Sequence, residues 1–278
     1  MITWAKEPPL STSLEAKLAD LRRRLSELAP LAIAFSGGVD STFLLRMAVD
    51  TLGRENVLAV TANSPLTAAS ELQRACDLAT RFGAEHLVVP STEFSNADLR
   101  ANPPNRCYIC KRIRFEQVQQ LAAERGFVHL ADGTNADDAN DYRPGLKAAE
   151  ELGVVSPLRE ARLTKADVRE ASRLLDLPTA DLPSFACLAS RVPYGVPLTE
   201  EALRRIEQGE QVLADLGLRQ YRLRDHGDVA RLEVQPGDFG VLLGQRHHVL
   251  SALRQLGYRY VALDLAGYRT GSMNEGLL

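Results

Sequence analysis

The apolar run Leu31-Ala-Ile-Ala-Phe35 passes without a break into Ser36-Gly-Gly-Val-Asp-Ser41, and a helical run follows from Thr42 to Thr51. Little else can be made from a buried strand that opens through paired glycines onto a helix. The glycines let the backbone curl so that successive N–H groups point inward. The helix behind them aims its positive end at the same spot. Ser36 and Ser41 add hydroxyl donors, so the segment makes a cradle for phosphate or pyrophosphate. It lacks the Gly-Lys-Ser/Thr of a Walker A loop and is not a G-x-G-x-x-G fingerprint. The competing reading is a plain glycine-rich turn. It is disfavoured because the whole hexapeptide stands between a strand and a helix.

The surrounding pattern extends the same architecture. Leu14, Leu18, Leu21, Leu25 and Leu28 are spaced as one face of a helix that Pro30 ends. Strands are expected at Val57–Thr61, His86–Val89 and Phe127–Ala131, and helices at Ala68–Phe82, Arg112–Arg125 and Lys165–Leu175. Strands alternating with helices predict an α/β fold: an open, mostly parallel, doubly wound sheet with helices on both faces. Pro178, Pro183, Pro193 and Pro197 then mark a linker or functional loop. After it, a helix at Glu200–Leu216, strands at Gln220–Arg224 and Val229–Gln235, a helix within Asp238–Leu256 and a strand at Tyr258–Leu263 predict a small α+β domain.

Composition narrows the classes. The 278 residues carry a formal net charge of −3, which argues against a bulk nucleic-acid binder. No stretch approaches the roughly 20 apolar residues that cross a membrane. Met1 to Pro9 has neither the basic start nor the apolar core of a secretory signal, so a cytoplasmic location is expected. In that compartment the four cysteines, Cys76, Cys107, Cys110 and Cys187, are expected to be reduced.

Ser36-Gly-Gly-Val-Asp-Ser41 resembles the PP-loop signature of the ATP pyrophosphatases. The resemblance implies that ATP binds across Ala34, Ser36, Gly37, Gly38, Val39, Asp40 and Ser41. A carboxylate or carbonyl oxygen would attack the α-phosphorus and pyrophosphate would leave. Asp40 would help to position magnesium. Thr61-Ala-Asn-Ser64, at the end of the second strand, stands where a member of the superfamily binds adenine or ribose, with Thr61 and Ser64 as the contacts. Asp132-Gly-Thr-Asn-Ala-Asp-Asp138 resembles the second conserved loop. Gly133 and Thr134 would approach the nucleotide, and Asp137 or Asp138 would help to hold the metal. Arg143 and Lys147 would either complete the anion site or stand as solvated charges.

The cysteines bear on what is activated. Cys107-Tyr-Ile-Cys110 opens a helix, where backbone N–H groups and the flanking Arg106, Lys111 and Arg112 would stabilise thiolates. Two thiols make only half of a tetrahedral metal site. Cys187 lies in Pro183-Ser-Phe-Ala-Cys-Leu-Ala-Ser-Arg191, in the proline-rich loop, where a buried structural cysteine has little reason to be. Cys76 sits in the middle of a helix and is expected to be core.

From Ser36–Ser41 through Asp132–Asp138, Asp141-Tyr-Arg-Pro-Gly145 and Pro183–Arg191 to Arg222-Leu-Arg-Asp-His-Gly-Asp-Val-Ala-Arg-Leu-Glu-Val234, the chain resembles the LarE family. These are ATP-dependent sulfur transferases that act in nickel-pincer nucleotide cofactor biosynthesis. The resemblance implies adenylation of a carboxylate of pyridinium-3,5-biscarboxylic acid mononucleotide, then attack by sulfur to give a thiocarboxylate. Cys187 aligns with the family's sulfur-bearing cysteine, with Arg191 beside it as a further catalytic candidate. Single-cysteine members surrender that sulfur and are left with dehydroalanine. Relatives with three cysteines hold a four-iron four-sulfur cluster, here on Cys107, Cys110 and Cys187, whose open iron carries an extra sulfide. The domains expected are a PP-loop domain over 1–180, a cysteine-bearing linker over 181–198, and a substrate-binding or oligomerising domain over 199–278. A homo-oligomer and an external sulfide or sulfur-donor protein are also implied.

Arg222 and Arg224 alternate on a strand and so share a face, where two guanidinium groups would either clamp a substrate phosphate or form an exposed charged face. His226, in the following turn, would contact the same phosphate or cap the turn. Glu200, Glu201, Glu207 and Glu210 are expected to form a solvated helix face. Three other readings use the same loop: a tRNA thiolation enzyme, an ammonia-using synthetase, and an ATP-sensing module without turnover.

Overall fold

The computed structural model describes residues 12–140, 144–183 and 186–269. It divides into two compact units. The first is made from the described parts of Met1–Ser64, Ala69–Glu93 and Asn105–Ser184. The second takes Pro65–Ala68, Phe94–Pro104 and the chain from Phe185 onward.

The first unit contains α1 (Thr12–Ser26), β1 (Leu31–Ala34), α2 (Val39–Leu52), β2 (Val57–Asn63), α3 (Ala69–Phe82) and β3 (Glu85–Pro90). After α4 (Ala97–Arg100), which belongs to the second unit, come α5 (Arg106–Ala123), β4 (His129–Ala131), α6 (Pro144–Glu151), α7 (Pro157–Glu160) and α8 (Lys165–Leu174). The sheet order is β3-β2-β1-β4 and every pairing is parallel. Leu31, Ala32 and Ile33 are wholly buried, as befits a strand covered on both faces. Leu14, Leu18, Leu21 and Leu25 of α1 pack with Phe43, Leu44 and Leu45 of α2 and with α3 and α8 in one core cluster. Phe115, Val118 and Ala122 of α5 join Leu58, Val60 and Leu130 in another. Burying a side chain such as Phe43 is worth about 1.5–3 kcal/mol over leaving it exposed.

The chain moves outward from β1 through β2 to β3, then returns to pair β4 on the other side of β1. Such a reversal marks where an open α/β sheet binds its ligands, beyond the carboxyl ends of the strands. The phosphate loop begins there.

Some boundaries differ from the sequence reading. Helix α2 starts at Val39, not Thr42, so Asp40 and Ser41 already lie in its first turn. Helix α5 starts at Arg106, which puts Cys107 and Cys110 in its first turn and a half. The short helices α4, α6 and α7 were not anticipated.

The second unit holds α4, α9 (Glu200–Asp215), β5 (Tyr221–His226), β6 (Val229–Val234), α10 (Phe239–Gly244), α11 (Arg246–Gln255) and β7 (Tyr260–Leu263). The single helix expected within Asp238–Leu256 is therefore two. β5 and β6 form an antiparallel hairpin around Gly227-Asp228, with Gly227 at φ 73° as such a turn requires, and β7 pairs parallel to β6. Leu203, Ile206 and Leu213 line the buried face of α9. No helix among the described residues is long and apolar enough to cross a membrane.

Candidate active site

The phosphate loop is held by its own hydroxyls. Ser36 Oγ and Ser41 Oγ lie 3.1 Å apart, and Ser41 Oγ also accepts from Ser36 N–H at 3.3 Å. Ala34 ends β1 opposite Val60, and the Phe35 N–H donates to Val60 O at 2.8 Å. Gly37 sits at φ 67°, and a Cβ there would stand 3.0 Å from the Ala75 backbone of α3. Arg74 of α3 donates to Gly37 O at 3.1 Å and pins the outside of the curl. Gly38 caps α2 in an extended conformation, and Val39 is buried beneath it.

The second loop runs against the start of α2. A Cβ on Gly133 would lie 2.8 Å from Ser41 N, a contact that only glycine permits. Asp132, buried, organises this loop: it accepts from Thr134 N–H at 3.1 Å, Thr134 Oγ at 2.7 Å, Ser156 Oγ at 2.8 Å and Lys111 Nζ at 3.4 Å. The Thr134 hydroxyl thus donates inward to Asp132.

Asp40 receives Lys165 Nζ at 2.5 Å on one oxygen and Asn135 Nδ2 at 3.3 Å on the other. Asp137, exposed, accepts the backbone N–H of the same Lys165 at 2.8 Å, while Asp138 caps Asn135 N–H at 3.0 Å. Lys165 therefore ties both candidate magnesium carboxylates together. The sequence reading saw it only as the first residue of a helix. Its one signal was position: it follows Thr164, whose capping box with Asp167 fixes the start of α8. Oxygen donors of this kind suit a hard cation. Arg143 lies outside the described residues. Lys147 is exposed and pairs with Glu151 at 3.7 Å.

At the carboxyl end of β2, Thr61 Oγ donates to Phe35 O at 2.7 Å and lies 2.8 Å from His86 Nε2. That donation leaves the hydroxyl as acceptor for an Nε2–H of His86. Burial pushes the His86 pKa down. Ser64 Oγ accepts from Arg114 Nη2 at 2.7 Å, and Arg114 also grips the wholly buried Glu93 through Nε and Nη2 at 2.8 and 2.6 Å. Burial pushes the Glu93 carboxyl up. The Arg114 charge and the hydrogen bonds from Ser64, Ser91 and Arg114 outweigh this and hold it below its ordinary range. Neither Arg114 nor Glu93 was singled out from sequence.

Cys107 is exposed and Cys110 half-buried, and neither is in a disulfide. The basic residues expected around them are committed elsewhere: Lys111 reaches Asp132, and Arg112 pairs with Glu116 at 3.0 Å. Arg106 is buried. Cys76 is a half-buried free thiol on α3, not fully core.

In the second unit Cys187, a half-buried free thiol, caps a 3-10 turn over Leu188–Arg191. Arg191 is buried and braces that turn, donating through Nη1 to Ala186 O, to Cys187 O at 3.0 Å and to Ser190 Oγ at 3.0 Å. Its other nitrogens grip Glu210 at 2.9 and 2.8 Å. Glu210 is thus not on a solvated face. It lies on the apolar stripe of α9, four residues after Ile206 and three before Leu213, and also accepts Leu223 N–H at 3.1 Å. Glu200 and Glu201 are exposed as expected.

Arg222 and Arg224 share a face, and both are buried. Arg222 stacks over the Tyr268 ring at 5.2 Å, and Arg224 pairs with Glu233 at 2.7 Å and reaches Ser190 O at 3.0 Å. Burial pushes the Arg222 pKa down, with Arg191 and Arg224 adding like charge and Glu210 opposing them. Arg191, Arg222 and Arg224 are all buried in this unit, and guanidinium groups suit an anion. His226 is exposed and sits 3.3 Å from Arg231 Nε. Among the described residues no group of three or more His, Cys, Asp or Glu side chains is gathered to hold a metal ion.

Comparison with known proteins adds to this geometry. The NAD synthase family profile matches residues 21–138, the stretch that carries both phosphate-side loops. An uncharacterized protein of Synechocystis is 42% identical over 95% of this chain and 99% of its own length. An uncharacterized protein of Methanocaldococcus jannaschii is 26% identical over 91% of this chain and 98% of its own. The pyridinium-3,5-bisthiocarboxylic acid mononucleotide synthase of Lactiplantibacillus plantarum is 39% identical over 95% of this chain and 96% of its own length. A likeness of that degree, running through both units, makes the chain a member of the LarE family of PP-loop enzymes, to which that synthase belongs.

Proposed function

We propose that this enzyme adenylates a carboxylate of pyridinium-3,5-biscarboxylic acid mononucleotide and converts it to a thiocarboxylate. The near full-length likeness to the L. plantarum synthase carries the reading. A carboxylate oxygen attacks the α-phosphorus of ATP and the bond to pyrophosphate breaks. A sulfur nucleophile then attacks the acyl carbon, and AMP leaves with the former carboxylate oxygen.

The chain's residues divide that work. The N–H groups and hydroxyls of Ser36–Ser41 receive the phosphates, and Lys165 stands ready beside them on Asp40. Ala34, Thr61 and Ser64 edge the nucleotide end, with Thr61 oriented by His86 and Ser64 by Arg114. Gly133 lets the second loop, with Thr134, close on α2. Asp40 and Asp137 would hold magnesium, which neutralises charge on the leaving pyrophosphate when bound. Arg222, Arg224 and Arg191 receive the phosphate of the mononucleotide.

Cys107, Cys110 and Cys187 would hold a four-iron four-sulfur cluster, a soft donor set suited to iron and sulfide, which supplies an open iron for an extra sulfide. The same reading takes the enzyme as a cytoplasmic homo-oligomer supplied with sulfide from outside.

The test is to incubate the anaerobically purified enzyme with ATP, magnesium and the biscarboxylic mononucleotide. Pyrophosphate release and a product in which sulfur replaces oxygen are expected. Release of pyrophosphate with ammonia incorporated instead would overturn the reading in favour of a synthetase. Iron bound by the unmodified protein and lost in Cys187→Ala supports the cluster. A protein that binds no iron when iron and sulfide are offered, and gains dehydroalanine at 187, makes Cys187 the spent donor.

A further inference from the structure

Asn102 is fully buried, stands at φ 57° and is used by no step above. Its side-chain N–H groups face three backbone carbonyls of one turn: Pro193 O at 2.8 Å, Val196 O at 3.0 Å and Val192 O at 3.4 Å. Its own carbonyl accepts Gly195 N–H at 2.9 Å, and two residues back Arg100 O accepts Leu198 N–H at 2.7 Å. Asparagine suits this position on two counts. It tolerates a left-handed backbone better than other non-glycine residues. Its amide also donates where a carboxylate can only accept. Backbone held in so sparse a region persists only where the surroundings fix it.

The clasped turn is the far end of the loop that carries Cys187. Val192 N–H donates back to Ala189 O at 3.2 Å, Ser190 N–H donates to Cys187 O at 2.9 Å, and Leu188 N–H donates to Leu66 O at 3.0 Å. Leu188, Ala189, Val192 and Leu198 are buried, whereas Cys187 keeps partial exposure. Among the described residues the loop is therefore held on both sides of Cys187, at Leu188 and through the 192–196 turn, while the thiol stays partly exposed. All of these residues lie in the second unit.

We propose that Asn102 is a positioning residue for Cys187: by tying the 192–196 turn to the α4 segment it fixes where the Cys187 thiol is presented. The proposal rests on the reading of Cys187 as a sulfur-bearing residue. It adds a residue that touches neither substrate nor sulfur.

Two variants test this from opposite sides. Asn102→Gly keeps the backbone conformation and removes the amide. Gly195→Ala strains the turn at φ 78° without a steric clash, since nothing lies within 4 Å of the added methyl. In both, the first-turnover release of pyrophosphate with the biscarboxylic mononucleotide stays at the level of the unmodified enzyme. Sulfur transfer falls by about 10²-fold, the loss expected of a reacting group displaced by roughly 1 Å. Alkylation of Cys187, measured by mass spectrometry against Cys76 of α3 as internal standard, shifts several-fold as an order-of-magnitude expectation. Sulfur transfer and Cys187 alkylation both unchanged in the two variants would overturn the proposal. So would a Gly195→Ala protein in which both half-reactions fall together. If the unmodified enzyme transfers no sulfur, the functional reading fails, and the alkylation ratio still decides whether the clasp sets thiol presentation.

Discussion

Gly133→Ala asks whether the second loop must lie against the phosphate loop. The added methyl would meet Ser41 N at 2.8 Å, Asp40 C at 3.1 Å and Ser41 Cα at 3.1 Å. All three are backbone atoms at the start of a helix, so none can swing aside. Comfortable contact needs roughly 3.5–4.0 Å, so the loops must part by roughly 0.5–1 Å. Overpacking of this kind costs about 1–3 kcal/mol. If the strain is relieved by lifting the second loop off α2, ATP binding weakens by about 5- to 150-fold. If the loops stay together, the same energy comes out of folding stability. The assay is therefore paired: the ATP dissociation constant by calorimetry, and the urea midpoint on the same sample. Gly237→Ala is the control, because a methyl there meets nothing within 4 Å. A Gly133→Ala protein that matches the control in both measurements refutes the close approach.

Glu210→Gln leaves the Arg191 guanidinium buried without its countercharge. It should lower unfolding stability by about 3–5 kcal/mol, read as a fall in the urea midpoint, and an unmoved midpoint would mean that the pair is already solvated. Lys165→Met removes the cation held on Asp40. ATP should bind about tenfold more weakly while Lys165→Arg retains most of the affinity, and equal affinity in all three proteins would take Lys165 out of the site. For His86, burial lowers the folded-state pKa. As the pH falls through about 6.5 the unfolded chain takes up a proton that the folded one refuses, so stability drops there and is fully present above it. Urea midpoints at about pH 7.5 and 5.5 should differ less in His86→Gln than in the unmodified protein.

How much of this could be read beforehand depended on how local the signal was. The phosphate loop was legible because strand, glycines and helix follow one another without a gap. The parallel sheet was legible because Leu31–Phe35 and Val57–Thr61 are apolar on both faces. Glu210 was misread because glutamates at 200, 201 and 207 suggest a wet face, and the apolar stripe through Leu203, Ile206 and Leu213 was given less weight than their charge. Lys165 and Arg114 were missed because their partners, Asp40 and Glu93, are distant in sequence, and a lone cation gives no sign of which carboxylate it will find. Arg222 and Arg224 had the right alternation but no local mark of burial. What buries them is the rest of the second unit, with Glu233 from the neighbouring strand and the Tyr268 ring. The recruitment of 65–68 and 94–104 into the second unit has no composition signal at all.

The Ser36–Ser41 hydroxyl contact has a bearing on turnover. These two groups satisfy one another at 3.1 Å. An incoming phosphate therefore trades one hydrogen bond for another instead of filling a vacancy, and the net gain from such a swap is small. The loop therefore has a self-satisfied state to fall back into. On the proposed function, that makes the loop a reversible holder, which would grip the departing pyrophosphate through the moment of bond breaking and then let it go.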